Sequence, residues 1–126
     1  MSLETAKASV DFLISKSGKN KNLALYFFGG EPLLRFDLIK ELVNYSNVQN
    51  EIHNKKFEFN ATTNGSLFTE EILDFFFEKD IVILFSWDGD QERIERVKGK
   101  VAYKKMLNYI NAFKNLICWR TINLLL

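Results

Sequence analysis

The chain is predicted to be an α/β protein with a parallel sheet of about four strands and flanking helices. Three observations carry that prediction. Tyr26-Phe27-Phe28 runs into Gly29-Gly30-Glu31-Pro32, Phe57 to Thr62 runs into Thr63-Asn64-Gly65, and Ile81 to Phe85 runs into Ser86-Trp87-Asp88-Gly89. Each is an apolar, strand-like run that stops at a short polar turn built around glycine, and after each turn the apolar spacing becomes helical. Repeated strand–turn–helix units build parallel sheets, in which the loops after the carboxyl ends of the strands share one edge. Open α/β sheets and α/β barrels hold their ligands at that edge. Glu31, Asn64, Ser86 and Asp88 are therefore expected to line one site.

The elements follow in order. Ala6, Val10, Leu13 and Ile14 recur at helical spacing and define a first helix, with the polar stretch 15–22 and its Gly18 as the exit. Leu23 to Phe28 is a nearly continuous apolar run, as expected of a strand buried on both faces. Leu38, Ile39, Leu42 and Val43 form the next helical stripe, with Asp37 suited to the positive end of that helix. Residues 44–56 read as a long polar connection. Phe57 to Thr62 alternates as a second strand. Thr69 is a good N-cap, followed by Glu70 and Glu71 in the first turn and by Ile72, Leu73 and Phe76 facing inward. Val82 to Phe85 is the third strand. Tyr103, Met106, Leu107, Ile110 and Phe113 mark the last helix, and Trp119 to Leu126 a fourth strand.

No linker or low-complexity tract divides this pattern, so residues 1–126 read as part of one domain. A length of 126 residues allows one domain with a modest core. A net charge of +1 gives no electrostatic case for nucleic acid or a membrane surface. No apolar run approaches the roughly 20 residues of a membrane span. The one cysteine, Cys118, cannot form an internal disulfide, which fits a reducing, cytoplasmic setting.

Chemistry-bearing residues concentrate in the three turns. Glycine at 29 and 30 lets backbone approach a ligand closely, because no Cβ stands in the way. Pro32 fixes the turn and biases Glu31 towards an extended conformation. On the residues alone, this segment reads equally as a strand-to-helix turn with an exposed carboxylate. Asn64-Gly65 suits a tight turn, since both residues tolerate positive φ. Ser86 is a small hydroxyl donor at a strand end, suited to a carboxylate. Asp88-Gly89 reads either as a turn capping backbone amides or as a polar wall for substrate. Cys118, at the entry to a strand, reads as a small apolar core residue, and His53 as solvated. Neither a P-loop nor a dinucleotide fingerprint is present. Arg93, Arg96, Lys98 and Lys100 are interleaved with Glu92 and Glu95, as on a solvated face.

Gly-Gly-Glu-Pro-Leu-Leu with Arg35, then Thr-Asn-Gly, then Ser-x-Asp-Gly, in that order, resembles the radical S-adenosylmethionine superfamily. The likeness is greatest to the branch of anaerobic sulfatase-maturating and other peptide-modifying (SPASM-type) enzymes, and it covers nearly the whole chain. The resemblance implies the central part of an incomplete (β/α)6 partial barrel, with the first strand and its cluster loop, and the C-terminal part, outside this chain. It implies that the backbone of Gly29, Gly30, Glu31 and Pro32 would hold the methionine amino group of S-adenosylmethionine, with Glu31 bracing the loop. Ser86 would meet the cofactor's carboxylate, and Asn64 would help position it.

The sequence also departs from the family pattern. Thr62 stands where relatives often carry Gln, Asp90 where they carry Pro, Ile94-Glu95 where His-Asp is expected, and Asn108 where some place an arginine. Above all, the family's four-iron four-sulfur cluster needs three cysteines after the first strand, and this chain has one. No metal ligands are assigned to this chain, which alone should be inactive and hold neither cluster nor S-adenosylmethionine tightly. The expected partner of the parent protein is a peptide or protein substrate, modified through a 5′-deoxyadenosyl radical. Two rival readings remain: an ordinary α/β enzyme using Glu31 and Asp88 as acid and base, and a non-catalytic binding module. Both outer strands should have open edges, so a non-physiological dimer or higher oligomer is expected.

Overall fold

A computed structural model describes residues 1–86, 91–101, 103, 104, 107–109, 111 and 122–125. In chain order the elements are α1 (Leu3–Lys16), β1 (Asn22–Phe27), a 3-10 turn (Pro32–Arg35), α2 (Phe36–His53), β2 (Lys56–Thr63), α3 (Glu70–Glu78), β3 (Ile81–Ser86), α4 (Gln91–Lys98) and β4 (Ile122–Leu125). The strands form one four-stranded sheet in the order β1-β2-β3-β4, and every pairing is parallel. β1 and β4 are its edges, as the sequence implies.

The core lies on one face of this sheet. Alternation buries Phe57, Phe59, Ala61 and Thr63 of β2 and Ile81, Ile83 and Phe85 of β3, where they meet Val10, Ile39, Leu42, Val43, Ile72 and Phe76 from the helices. The other face carries Ala24, Tyr26, Glu58, Asn60, Thr62, Val82, Leu84 and Ser86, each half-buried or exposed. β1 is thus not buried on both faces: Ala24 is exposed and Tyr26 is 67% exposed. Its unbroken apolar run conceals a one-sided strand, because Ala and Tyr are tolerated at an open face.

Helix ends follow local chemistry. The Ser2 hydroxyl accepts from the Thr5 N–H, and the Thr69 hydroxyl accepts from the Ile72 N–H, capping α1 and α3. α2 is longer than its apolar stripe suggests: the expected polar connection 44–56 is helical as far as His53. Buried Ser46 extends the stripe of Ile39, Leu42 and Val43 by a turn, while the Tyr45 hydroxyl donates to Asp11 Oδ1 at 2.6 Å, tying α2 to α1. Asn54, left-handed at φ 50°, ends the helix. The Asn50 side-chain oxygen then accepts the Phe57 N–H at 3.0 Å, which starts β2. Asn and Ser are weak helix formers, so tertiary packing overrides propensity here.

A second addition is α4, where the sequence reading places only a solvated charged stretch. Ile94 is its buried anchor at 1% exposure, and Gln91 donates to Glu95 at 2.7 Å across one turn. The expected last helix is seen in the helical residues 100, 101, 103, 104, 107–109 and 111. Met106, Ile110, Phe113, Cys118, Trp119 and Leu126 lie outside the described residues. Among the described residues, no helix is long and apolar enough to cross a membrane.

Candidate functional site

The carboxyl ends of β1, β2 and β3 meet at one edge, since the register pairs Phe27 with Ala61 and Thr63 with Phe85. Glu31 lies in the loop after β1 and is extended at φ −149°, ψ 101°, as Pro32 demands. Its carboxylate gathers three donors. Oε1 accepts the Leu33 N–H at 3.1 Å and the Thr63 hydroxyl at 2.8 Å, and Oε2 accepts the Asn64 N–H at 2.9 Å. Glu31 therefore caps its own 3-10 turn and fastens the first loop to the second. Glu31 is half-buried, and both of its oxygens are engaged within the protein.

The second loop is a tight turn. Gly65 sits at φ +74°, its N–H donates to the Thr63 hydroxyl oxygen at 3.0 Å, and the Asn64 side-chain oxygen accepts the Ser66 N–H at 2.9 Å. Phe68, fully buried, pins this turn to the core with its ring 5.4 Å from Phe85 and 5.8 Å from Tyr109. Burying such a ring contributes on the order of 1.5–3 kcal/mol. Thr63 is the residue that sequence reading missed. Its signal was a hydroxyl on the core-facing side of a strand, where a polar group needs a partner.

At the first loop, a Cβ built on Gly29 or Gly30 would meet nothing within 4 Å, so their backbone borders open space at the strand ends. A cavity of about 360 Å³ is bordered by this loop, through Gly29, Gly30, Glu31, Pro32 and Arg35, together with apolar residues such as Ala6, Val10, Leu25 and Leu42. Arg35 and Asp37 form a two-pronged pair, with Nε to Oδ1 at 3.1 Å and Nη2 to Oδ2 at 3.0 Å. That hydrogen bonding raises the Arg35 pKa and lowers that of Asp37.

Ser86 ends β3 half-buried, level with Leu125 of β4. Thr62 is half-buried on the sheet face away from the helices, level with Leu84. Gly29, Gly30, Glu31, Pro32, Asn64 and Ser86 thus share one edge. Asn108 is helical and exposed, and no described contact brings it to that edge. Asp88, Gly89 and Asp90 lie outside the described residues. His53 is exposed and borders a shallow groove with Asp11 and Lys55, remote from the strand ends. Among the described residues, no three His, Cys, Asp or Glu side chains converge to hold a metal ion.

Comparison with known proteins gives four results. A family model described as the Radical SAM superfamily matches residues 2–126. An uncharacterized protein of Methanocaldococcus jannaschii is 36% identical over 89 residues, covering 71% of this chain and 29% of that protein. The radical SAM cyclopropyl synthase TigE of Paramaledivibacter caminithermalis is 28% identical over 91 residues, covering 71% of this chain and 19% of its own length. Among solved structures, anSMEcpe with bound AdoMet superposes with a TM-score of 0.80 at 23% identity, over 98% of this chain and 34% of that one. That match shows the same α/β partial-barrel fold. The chain spans about a third or less of each of these proteins.

Proposed function

This chain belongs to the Radical SAM superfamily, and from that premise we propose that it is the central, cofactor-positioning part of an enzyme that modifies a peptide or protein. One observation carries the reading: Glu31 fastens the Gly29–Pro32 loop to the Thr63–Gly65 turn at the edge where Ser86 also ends. S-adenosylmethionine fits this edge. The open backbone at Gly29 and Gly30 leaves room for its amino-acid end, and Ser86 and Asn64 supply polar groups beside it. Bound there, S-adenosylmethionine would be the source of the radical that attacks the substrate. The chain's own residues orient the cofactor and fix the distance between the loops.

A four-iron four-sulfur cluster does not fit the residues present. Thiolates are its usual ligands, and the sequence offers one cysteine. Its ligands must be supplied from outside this chain. The peptide-modifying reading draws on the sulfatase-maturase likeness in sequence pattern and on a fold neighbour described as holding AdoMet and a peptide. A cytoplasmic setting goes with the same proposal.

The acid–base alternative is less favoured, because both Glu31 oxygens are committed to donors within the protein. Titrating the isotopically labelled chain with S-adenosylmethionine tests the proposal. Amide shifts should centre on Gly29–Glu31, Asn64 and Ser86 with a dissociation constant in the millimolar range, on the order of 4 kcal/mol. Shifts confined to other residues, or none at tens of millimolar, would overturn it.

A further inference from the structure

The end of the sheet opposite the glycine loop carries charge of one sign. Residues 12–22, from the end of α1 into β1, contain Lys16, Lys19 and Lys21 and no Asp or Glu. Residues 52–57, from the end of α2 into β2, contain His53, Lys55 and Lys56 and again no acid. The fold brings the two stretches together. Lys55 Nζ donates to the Gly18 and Asn20 carbonyl oxygens at 2.8 Å each, and the Lys56 N–H donates to the Lys21 carbonyl at 2.8 Å. The register then sets Asn22 beside Lys56. Half-buried Lys55 thus holds the two loops to each other, while Lys16, Lys19, Lys21 and Lys56 are exposed.

The ion pairs of the described residues join Arg35 to Asp37, Lys40 to Glu71 and Lys79 to Glu78, and none uses these lysines. The acids that flank them are few. Glu51 precedes the second stretch, Glu58 follows it, and Asp11 lines a groove with Ile14, Gly18, His53 and Lys55 while its Oδ1 accepts the Tyr45 hydroxyl. Lys16, in the last turn of α1, complements the carbonyl end of that helix. Lys19, Lys21 and Lys56 lie past the helix ends, where that effect fades, so their charge is left for a ligand.

Two further features decide its class. Exposed Asn22 and Asn54 stand among the lysines, and an amide both donates and accepts, as a peptide backbone does. A nucleic-acid backbone offers acceptors alone, and residues 16–22 and 53–56 carry no aromatic ring on which a base could stack. We propose that this surface docks an extended, acidic segment of a partner protein. Its carboxylates meet Lys19, Lys21 and Lys56 in charge-assisted hydrogen bonds, and its backbone pairs with the asparagine amides. β1 is six residues long, which puts this surface roughly 20 Å from the Gly29–Pro32 loop. A docked segment therefore leaves the opposite edge open, and the proposal stands apart from the cofactor reading.

The test uses the isotopically labelled full chain, the blocked peptide acetyl-Glu-Ser-Glu-Glu-Ser-Glu-amide, its glutamine counterpart and an octauridylate RNA. The glutamate peptide should shift the amides of Lys19, Lys21, Asn22, Asn54 and Lys56, and the glutamine peptide should not. Raising sodium chloride from about 20 to about 300 mM should weaken the binding about fivefold or more. The double variant Lys19→Gln, Lys21→Gln should weaken it to a similar degree and leave the melting temperature unchanged, because both side chains are exposed. Absence of shifts at millimolar glutamate peptide, equal shifts with both peptides, or an undiminished response in the double variant would overturn the proposal. Tighter binding of the RNA than of the glutamate peptide would overturn it too, by making the surface a nucleic-acid site.

Discussion

The Thr63 hydroxyl donates to Glu31 Oε1 at 2.8 Å, joining two loops whose residues are 32 positions apart in the chain. The same hydroxyl oxygen accepts the Gly65 N–H at 3.0 Å. Thr63 is therefore a relay: one side chain orders its own turn and binds it to the glycine-rich loop.

Replacing Glu31 with Gln should be damaging despite the equal size. An amide has one oxygen, so its NH₂ would face either the Asn64 N–H or the donors from Leu33 and Thr63. A donor opposed to a donor, half-buried, costs about 1–3 kcal/mol. Thr63→Val should cost a similar amount. In a double-mutant cycle with Glu31→Ala, read by urea denaturation, the two should couple by about 0.5–3 kcal/mol. Simple additivity would show that the clasp does not form.

The glycines should separate stability from binding. Gly65→Ala forces a Cβ into a left-handed position at φ +74° and should destabilise the chain by about 1–2 kcal/mol. Gly30→Ala meets nothing within 4 Å and should leave the melting temperature unchanged, while weakening S-adenosylmethionine binding by nuclear magnetic resonance titration. A Gly30→Ala chain that binds normally would place the cofactor elsewhere.

The tie between α1 and α2 should fade in alkali. Hydrogen bonding to Asp11, then burial, raises the Tyr45 pKa above its ordinary value of 10.0. A raised pKa means that the folded chain holds the phenolic proton more firmly than the unfolded chain does. The stabilisation is complete below pH 10 and is lost as pH climbs through the raised value. Tyr45→Phe should lower the melting point by about 1–3 °C at pH 7 and flatten its decline above pH 10. An unchanged alkaline slope would refute this.

Ser46→Ala should stabilise the protein. The Ser46 hydroxyl is fully buried and has no hydrogen-bond partner among the described residues. Removing it relieves a desolvation penalty and improves helix propensity, together about 1 kcal/mol. Calorimetry should show a higher melting temperature; a lower one would mean that the hydroxyl is satisfied in solution.

Iron should not accumulate on the isolated chain. With one cysteine in the sequence, anaerobic reconstitution followed by gel filtration should leave well under one cluster per chain and form no 5′-deoxyadenosine. Stoichiometric iron with that product would reverse the assignment of the ligands to other segments.

Much of the fold was legible because strand ends and glycine turns leave strong local signals. Leu23–Phe28, Phe57–Thr62 and Val82–Phe85 fall on β1, β2 and β3, and Thr69 caps α3 as its hydroxyl suggests. The C-terminal half of α2 was not legible, since Asn44, Asn47 and Asn50 disfavour helix locally, and the contacts of Ser46 and Tyr45 that hold it are tertiary. α4 hid among charges because a single buried residue, Ile94, anchors it. At the site, the loop residues could be named from sequence, but the clasp could not. Its third member, Thr63, faces the core, and only the register of β1 on β2 brings it level with the glycine loop.

The strand order β1-β2-β3-β4 repeats the order of synthesis. Each new strand docks on the one made just before it, although every parallel pairing must first close a long crossover, as from Asn22 to Lys56 and from Ile83 to Ile122. Loop entropy is lost before such contacts form, so each docking step is slow compared with helix formation. The sheet can still grow stepwise as the polypeptide leaves the ribosome, with α1 and α2 covering β1 and β2 before β4 is made. Refolding from denaturant should accordingly give early protection of β1–β2 amides in pulsed hydrogen exchange, ahead of those of β4.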